Sequence, residues 1–260
     1  VLTVHLGDVP GGVPEKTGRW FRWVRPFTPP IWRRAARVVA VSEHTRALAR
    51  RQYPAVEVEM IPNGVDLEVL NPGEIRLNDP PVILFAGRLV PQKNPLQIIR
   101  SLVAVADLPW RAIIVGEGPL RQAVETEILD HGLGDRVQLT GWITPEEVIS
   151  LYRKADLLFM PSYTEGLPVA GVQALAMGLA LVLSTAGGNV DLVAPGENGA
   201  LVPVAEPGGY AAALRELLSD PKRLLHARQA SRRLAGRFDL TRVVDEYEAI
   251  LTALSDQPGS

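Results

Sequence analysis

Two cations lie five residues apart in Phe85-Ala86-Gly87-Arg88-Leu89-Val90-Pro91-Gln92-Lys93-Asn94. The segment leaves an apolar run that reads as a strand and enters a helical stretch. That reading puts Arg88 and Lys93 at the carboxyl edge of a parallel sheet, where ligands of open α/β sheets bind. A guanidinium grips two oxygens at once, and an ammonium acts as a point charge. The free N–H groups of a helix start add to the pull on an anion. The chemistry on offer is phosphate binding without a metal; a merely solvated basic loop is the plainer alternative. Pro161-Ser162-Tyr163-Thr164-Glu165-Gly166-Leu167-Pro168 also runs from strand to helix. Its Glu165 either caps that helix or accepts hydrogen bonds from sugar hydroxyls. Gln173, eight positions on, is one polar residue amid Ala170, Gly171, Ala174, Ala176 and Gly178.

Other segments carry less. Gly116-Glu117-Gly118 follows a strand and opens a helix, half of a dinucleotide fingerprint. Arg121 occupies the third glycine's place, which disfavours NAD. Val41-Ser42-Glu43-His44-Thr45-Arg46 and Ile61-Pro62-Asn63-Gly64-Val65-Asp66 are turn-like; Gly64 reads as the positive-φ residue of its turn. His5, at the end of the first apolar run, is a lone histidine, more often structural than catalytic. The four histidines are scattered without metal-pair spacing. No phosphate loop of the GxxxxGK[ST] type, GxSxG elbow, HExxH helix or Asp-x-Asp pair occurs. The absence of cysteine excludes disulfides, thiolate zinc sites and a thiol nucleophile, and is compatible with a reducing compartment.

These residues need a scaffold. The chain has 260 residues, 47% apolar and 22% charged, with a net charge of −2, as in ordinary globular proteins and unlike a dedicated nucleic-acid binder. Apolar runs at 1–6, 37–41, 56–61, 82–86, 112–115, 137–139, 157–160, 180–183 and 200–202 read as strands. Several lack polar alternation, as in strands covered on both faces, and helical stretches separate most of them. The expected class is α/β with doubly wound parallel sheets. Thr144-Pro145-Glu146-Glu147 reads as a capping box and Asn94 as a helix cap. The longest apolar stretch, Ala174 to Leu183, is too short to span a bilayer; it reads as a helix end, broken at Gly178, and a buried strand. Val244, Tyr247, Leu251 and Leu254 read as the docking stripe of the last helix. The Pro- and Gly-rich stretch from Pro72 to Pro81 reads as a linker.

In order, VSxxTR, IPNGVD, GRLxxxK, VGxGP, PSxxEG and the loop Ala186-Gly187-Gly188-Asn189-Val190-Asp191 resemble the group 1 retaining glycosyltransferases of the GT-B fold. The resemblance covers nearly the whole chain. It implies two Rossmann-like domains facing a cleft: a partial N-terminal, acceptor-side domain over 1–76, a nucleotide-sugar-binding domain over 77–236, and a helix over 237–260 crossing back. It implies metal-independent sugar transfer from a nucleotide-sugar to a carbohydrate or lipid-linked acceptor, with retention. Arg88 and Lys93 would hold the diphosphate and stabilise its growing charge. Glu165, with N–H groups at Gly166 and Leu167, would bind the donor sugar. His5 would sit across the cleft near sugar and acceptor. Gly87, Gly116, Gly118, Trp142 and Ile143 would line the donor site, the last two bordering the nucleobase. No cofactor beyond the donor is implied, and the expected location is cytoplasmic.

Two positions depart from the family pattern. Its second glutamate, a ribose ligand, is Gln173 here, which loses charge-assisted strength. Asn94 stands where glycine is common. The chain also begins inside a strand, at Val1, so the N-terminal domain reads as incomplete, its three strands leaving apolar surface uncovered. Residues 15–54 carry a net charge of +8 against −10 for the rest, with Trp20, Phe21, Trp23, Phe27 and Trp32 interleaved among the basic residues. That stretch reads either as a surface for an anionic acceptor or peripheral membrane contact, or as a solvated loop. A non-catalytic nucleotide-sugar-binding module and a GT-B-like sugar-nucleotide epimerase are the competing functional readings.

Overall fold

The apolar runs downstream of residue 81 fold into one parallel sheet of six strands. A computed structural model describes residues 1–9, 12, 23 and 26–256. In chain order the strands are β1 (Leu2–Val4), β2 (Val38–Ala40), β3 (Val58–Met60), β4 (Val82–Ala86), β5 (Arg111–Val115), β6 (Val137–Gly141), β7 (Leu157–Met160), β8 (Ala180–Ser184) and β9 (Gly199–Val202). The helices are α1 (Thr28–Arg34), α2 (Glu43–Gln52), α3 (Pro95–Val103), α4 (Arg121–Asp130), α5 (Pro145–Arg153), α6 (Val169–Ala176), α7 (Gly209–Leu218), α8 (Pro221–Leu234) and α9 (Leu240–Ser255).

The larger sheet runs β6-β5-β4-β7-β8-β9. Every pairing is parallel, with Ile83 opposite Leu157 and Leu84 opposite Leu158 at the centre. Right-handed crossovers put α3 and α4 on one face and α5 and α6 on the other. The direction of winding therefore reverses between β4 and β7. All four residues of β7 and all five of β8 are buried, which explains their unbroken apolar sequence. Thr144 caps α5 in the expected reciprocal box: its hydroxyl accepts from Glu147 N at 3.3 Å, and Thr144 N donates to Glu147 Oε2 at 2.8 Å.

The smaller sheet is β1-β2-β3, also parallel. Its central strand is covered on both sides, contrary to the expected open apolar face. Val4, Trp32 and Ala49 pack with Val38 and Ala40, while Ile61 and Val243 pack with Val39. Trp32 is thus a core residue, stacked on Tyr53 at 4.3 Å between ring centroids. Trp23 and Phe27 are exposed. Lys16, Arg19, Trp20, Phe21, Arg22 and Arg25, the centre of the basic aromatic stretch, lie outside the described residues. No helix among the described residues is long and apolar enough to cross a membrane.

The last helix docks by a different stripe from the one expected. Val243 is buried and Tyr247 and Ile250 pack beside it, whereas Val244 and Leu251 are exposed. Tyr247 belongs to both stripes; Val243 and Ile250 take the places expected for Val244 and Leu251. The stretch read as a linker is also more firmly held than its composition implies. Arg228 of α8 donates to Arg76 O at 2.5 Å and Gly178 O at 2.8 Å, and pairs with the fully buried Asp156 at 2.5 Å. Asp156 accepts in addition from Asn78 N, Asn78 Nδ2 and Val82 N. Arg232 donates to the carbonyls of Leu67, Leu70 and Ala176.

Candidate functional site

The reversal between β4 and β7 opens a crevice at the carboxyl ends of the strands, the position at which doubly wound sheets take their ligands. The loop after β4 carries Arg88 and Lys93, and the loop after β7 carries Glu165. Lys93 ends a 3-10 turn, Pro91–Lys93, and its Nζ donates to Glu165 Oε1 at 2.6 Å. Glu165 is only 4% exposed. It does not cap α6: that helix starts after Pro168 with no side-chain cap. Arg88 is exposed and, among the described residues, makes no side-chain hydrogen bond or ion pair.

Three further bonds lace the two loops together. Tyr163 N donates to Gln92 O at 2.8 Å, Gln92 Nε2 to Thr164 O at 3.0 Å, and Asn94 Nδ2 to Pro161 O at 3.3 Å. Asn94 sits at the cap position of α3 but bonds no helix N–H there; it adopts φ 50°, the left-handed region. That conformation suits glycine or asparagine, and so accounts for this departure from the family pattern. On the other flank, Leu89 N donates to Glu117 O at 2.8 Å.

Glycines permit these approaches. A Cβ at Gly116 would lie 1.9 Å from Gly87 O, and one at Gly118 would lie 2.4 Å from Leu89 O. Gly116 and Gly118 therefore let one loop backbone lie on another. The loop after β8 does the same for Glu165. A Cβ at Gly187 would lie 1.7 Å from Glu165 O, and one at Gly188 would lie 1.8 Å from Gly166 O. Gly188 N donates to Glu165 O at 3.3 Å. Below them, Ser184 Oγ donates to Ser162 O at 2.6 Å and accepts from Asn189 Nδ2 at 3.0 Å.

The smaller sheet approaches from the other side. Leu6 Cβ lies 3.3 Å from the position of a Cβ on Gly166, so the chain just after His5 meets the Glu165 loop. His5 is exposed, and its backbone N donates to Asp8 Oδ2 at 2.8 Å. Asn63 Nδ2 donates to Leu167 O at 3.1 Å. Gly64 has no positive φ; it lies close against α9, where a Cβ would sit 3.1 Å from Leu240 Cα. Gly116 N donates to Gly141 O, joining the Gly116–Gly118 loop to the Trp142-Ile143 turn, where Trp142 is 74% exposed and Ile143 packs on the core. The Glu117–Arg121 ion pair stands against Gly141. Gln173 is half-buried, and its side chain has no hydrogen-bond partner among the described residues.

A second polar contact links the units behind Leu167. Asp191 Oδ2 accepts from Glu43 N, in the first turn of α2, at 3.0 Å. Burial raises the Asp191 carboxyl above its ordinary value, and the hydrogen bond from Glu43 N offsets part of that rise. Burial first, and Arg51 second, lower the neighbouring His44 imidazole. Burial pushes the Tyr210 phenol up to about 12. A cavity of about 360 Å³ opens beside Asp191, lined by Glu43, Leu167, Arg237 and Arg242 among others.

Sequence reasoning did not single out Gln92, Ser184 or Asp191. Gln92 and Asp191 lie inside quoted motifs, but as single polar letters they carry no spacing signal. Asn63 was noted only as part of a turn; its partner is 104 residues away.

The family model of Glycosyl transferases group 1 matches residues 71–234, and that of Glycosyltransferase Family 4 matches residues 1–69. The D-inositol 3-phosphate glycosyltransferase of Mycolicibacterium smegmatis is 30% identical over 214 residues, which are 76% of this chain and 48% of that protein. The chain thus spans about half the length of that relative. Among solved structures, sucrose-phosphate synthase from Thermosynechococcus elongatus superposes with a TM-score of 0.86 at 24% identity, covering 98% of this chain and 68% of that one. Anabaena Alr3699/HepE in complex with UDP-glucose gives 0.80 at 22% identity, covering 97% and 72%. These structural likenesses show the fold, GT-B with parallel α/β sheets. The match over residues 71–234 takes in both loops of the crevice, and the chain belongs to the group 1 glycosyltransferases.

Proposed function

We propose that the chain transfers a sugar from a nucleotide-sugar to an acceptor hydroxyl, with retention of configuration and without a metal. The observation that carries the reading is the pair of loops at the reversal of the sheet: an exposed Arg88, unpaired among the described residues, on the loop of Lys93, and a buried Glu165 held against that lysine. Arg88 and Lys93 bind the diphosphate. As the bond from the anomeric carbon to phosphate oxygen breaks, they stabilise the charge left there. Glu165 and the N–H groups of Gly166 and Leu167 hold sugar hydroxyls. The acceptor oxygen bonds to the anomeric carbon on the face the phosphate leaves, and its proton passes to the departing phosphate oxygen. His5 faces the sugar and acceptor from the smaller sheet.

Trp142, Ile143, Gly87, Gly116 and Gly118 border the nucleotide, and Gln173 bonds the ribose through a neutral amide. The solved relative bound to UDP-glucose supports a nucleotide-sugar in this class of site. A carbohydrate or lipid-linked acceptor is supported by a relative named GDP-mannose-dependent alpha-(1-6)-phosphatidylinositol monomannoside mannosyltransferase, from Mycolicibacterium smegmatis.

The test is binding of UDP, GDP and ADP and their common sugar conjugates, followed by transfer to an acceptor panel with the product's anomeric configuration read by NMR. Arg88→Ala abolishing nucleotide binding supports the assignment, and unchanged transfer in that variant overturns it. Binding without transfer favours the non-catalytic module. An epimerised donor formed without any acceptor favours the epimerase.

A further inference from the structure

We propose that Asn63 is a positioning residue for the sugar half of this site, acting across the crevice through the carbonyl of Leu167. The inference rests on the functional reading above. Its base is rigid. Ile61 is buried with Val39 and Val243, and Gly64 lies against Leu240 and Val243 of α9. Val65 N donates to Phe238 O at 2.9 Å and Leu240 N to Val65 O at 3.0 Å, so both chain crossings between the sheets clamp the turn that carries Asn63.

Its target is equally specific. The peptide between Leu167 and Pro168 has no N–H, so its carbonyl is all that it offers. Asn63 Nδ2 is that carbonyl's hydrogen-bond partner among the described residues, at 3.1 Å. The Gly187-Gly188 loop crowds the carbonyls of Glu165 and Gly166 from the larger sheet's side. Leu167 O is held from the opposite unit instead. The segment that presents the Glu165 carboxylate and the Gly166 and Leu167 N–H groups is therefore fixed at both ends, one end by the acceptor-side half of the molecule. Arg88 and Lys93 belong to a different loop. Loss of Asn63 therefore disturbs sugar recognition far more than diphosphate recognition.

The experiment compares Asn63→Asp and Asn63→Ala with the unaltered chain. Asn63→Asp keeps the shape but faces the carbonyl with an oxygen in place of a donor. Affinity for the nucleoside diphosphate that binds best among UDP, GDP and ADP should change by less than about twofold. Affinity for its sugar conjugate, or kcat, should fall about tenfold, the worth of one hydrogen bond. Equal losses for both ligands, or none, overturn the proposal. Backbone hydrogen exchange over residues 163–167 supplies a ligand-free arm, expected to speed up about tenfold in Asn63→Ala. If the unaltered chain binds no nucleotide or nucleotide-sugar, the functional reading fails. The exchange arm still decides separately whether Asn63 fixes the loop, and unchanged exchange refutes that.

Discussion

Removing Asp156 should cost this fold more than removing any surface charge, and more than removing its ionic partner. Asp156 is fully buried and Arg228 is 3% exposed. The carboxylate accepts from Arg228 Nη1 at 2.5 Å, Asn78 N at 3.2 Å, Asn78 Nδ2 at 2.8 Å and Val82 N at 2.8 Å. Asp156→Ala leaves the buried Arg228 guanidinium and two part-buried backbone N–H groups without that acceptor. Breaking a buried pair from one side costs about 4 kcal/mol. For a chain of this size that is roughly 10 °C in Tm. Arg228→Met leaves the carboxylate three of its four donors, so it should cost less, about 2–3 kcal/mol. Glu74→Ala, which removes an exposed partner of Arg76, should cost less than about 1 kcal/mol.

Urea or thermal denaturation of the three variants measures the order. Asp156 borders the first residue of β4, and Arg88 lies past its last. Nucleotide affinity measured well below the melting transition should therefore change by less than about twofold. A loss under about 1 kcal/mol for Asp156→Ala, or an Arg228→Met variant weaker than it, would refute the reasoning that the carboxylate is the hub.

Arg88→Ala should leave Tm within about 1 °C, because an exposed side chain without partners among the described residues contributes little to folding, while nucleoside diphosphate affinity falls at least about tenfold by calorimetry. Gly187→Ala puts a Cβ 1.7 Å from Glu165 O at φ 55°, so both the melting temperature and sugar-nucleotide binding should drop, by about 2 kcal/mol or more in stability. The folded chain resists protonation of His44, whose pKa lies below 6.5, so the unfolded chain takes that proton first and stability is lost as pH falls below about 6.5. His44→Gln should flatten the melting curve between pH 7 and 5. Asp191 has the opposite sign: the folded chain holds its proton more tightly than the unfolded one, so stability declines as pH rises above about 3.8. Asp191→Asn keeps an oxygen for Glu43 N and should melt no lower than the unaltered chain at pH 7.

The nine strands among the described residues are legible as apolar runs because each is short and flanked by turn chemistry, and the central ones, β4, β7 and β8, are almost wholly buried. The order β6-β5-β4-β7-β8-β9 was not legible, because parallel pairing leaves no local mark. The error on α9 has the same origin. Val243, Val244, Tyr247, Ile250, Leu251 and Leu254 fit two overlapping stripes, and only the partners Val39 and Ile61 choose between them. Asp156 and Arg228 went unnoticed because a buried ion pair separated by 72 residues looks like two solvated charges in a sequence.

The glycines carry the most instructive difference. A Gly-x-Gly after a strand invites the reading that the backbone must approach a phosphate. Here the crowding atoms at Gly116 and Gly118 are carbonyl oxygens of the Arg88 loop, and those at Gly187 and Gly188 are carbonyl oxygens of the Glu165 loop. The motif letters therefore record loop-on-loop contact before they record any ligand. Arg88, Lys93 and Glu165 come from strands that are neighbours only because the sheet reverses between β4 and β7. Their mutual placement then depends on backbones approaching more closely than a methyl group allows. An alanine at one of these glycines would act on the site through its carbonyls, without removing a single group that touches substrate.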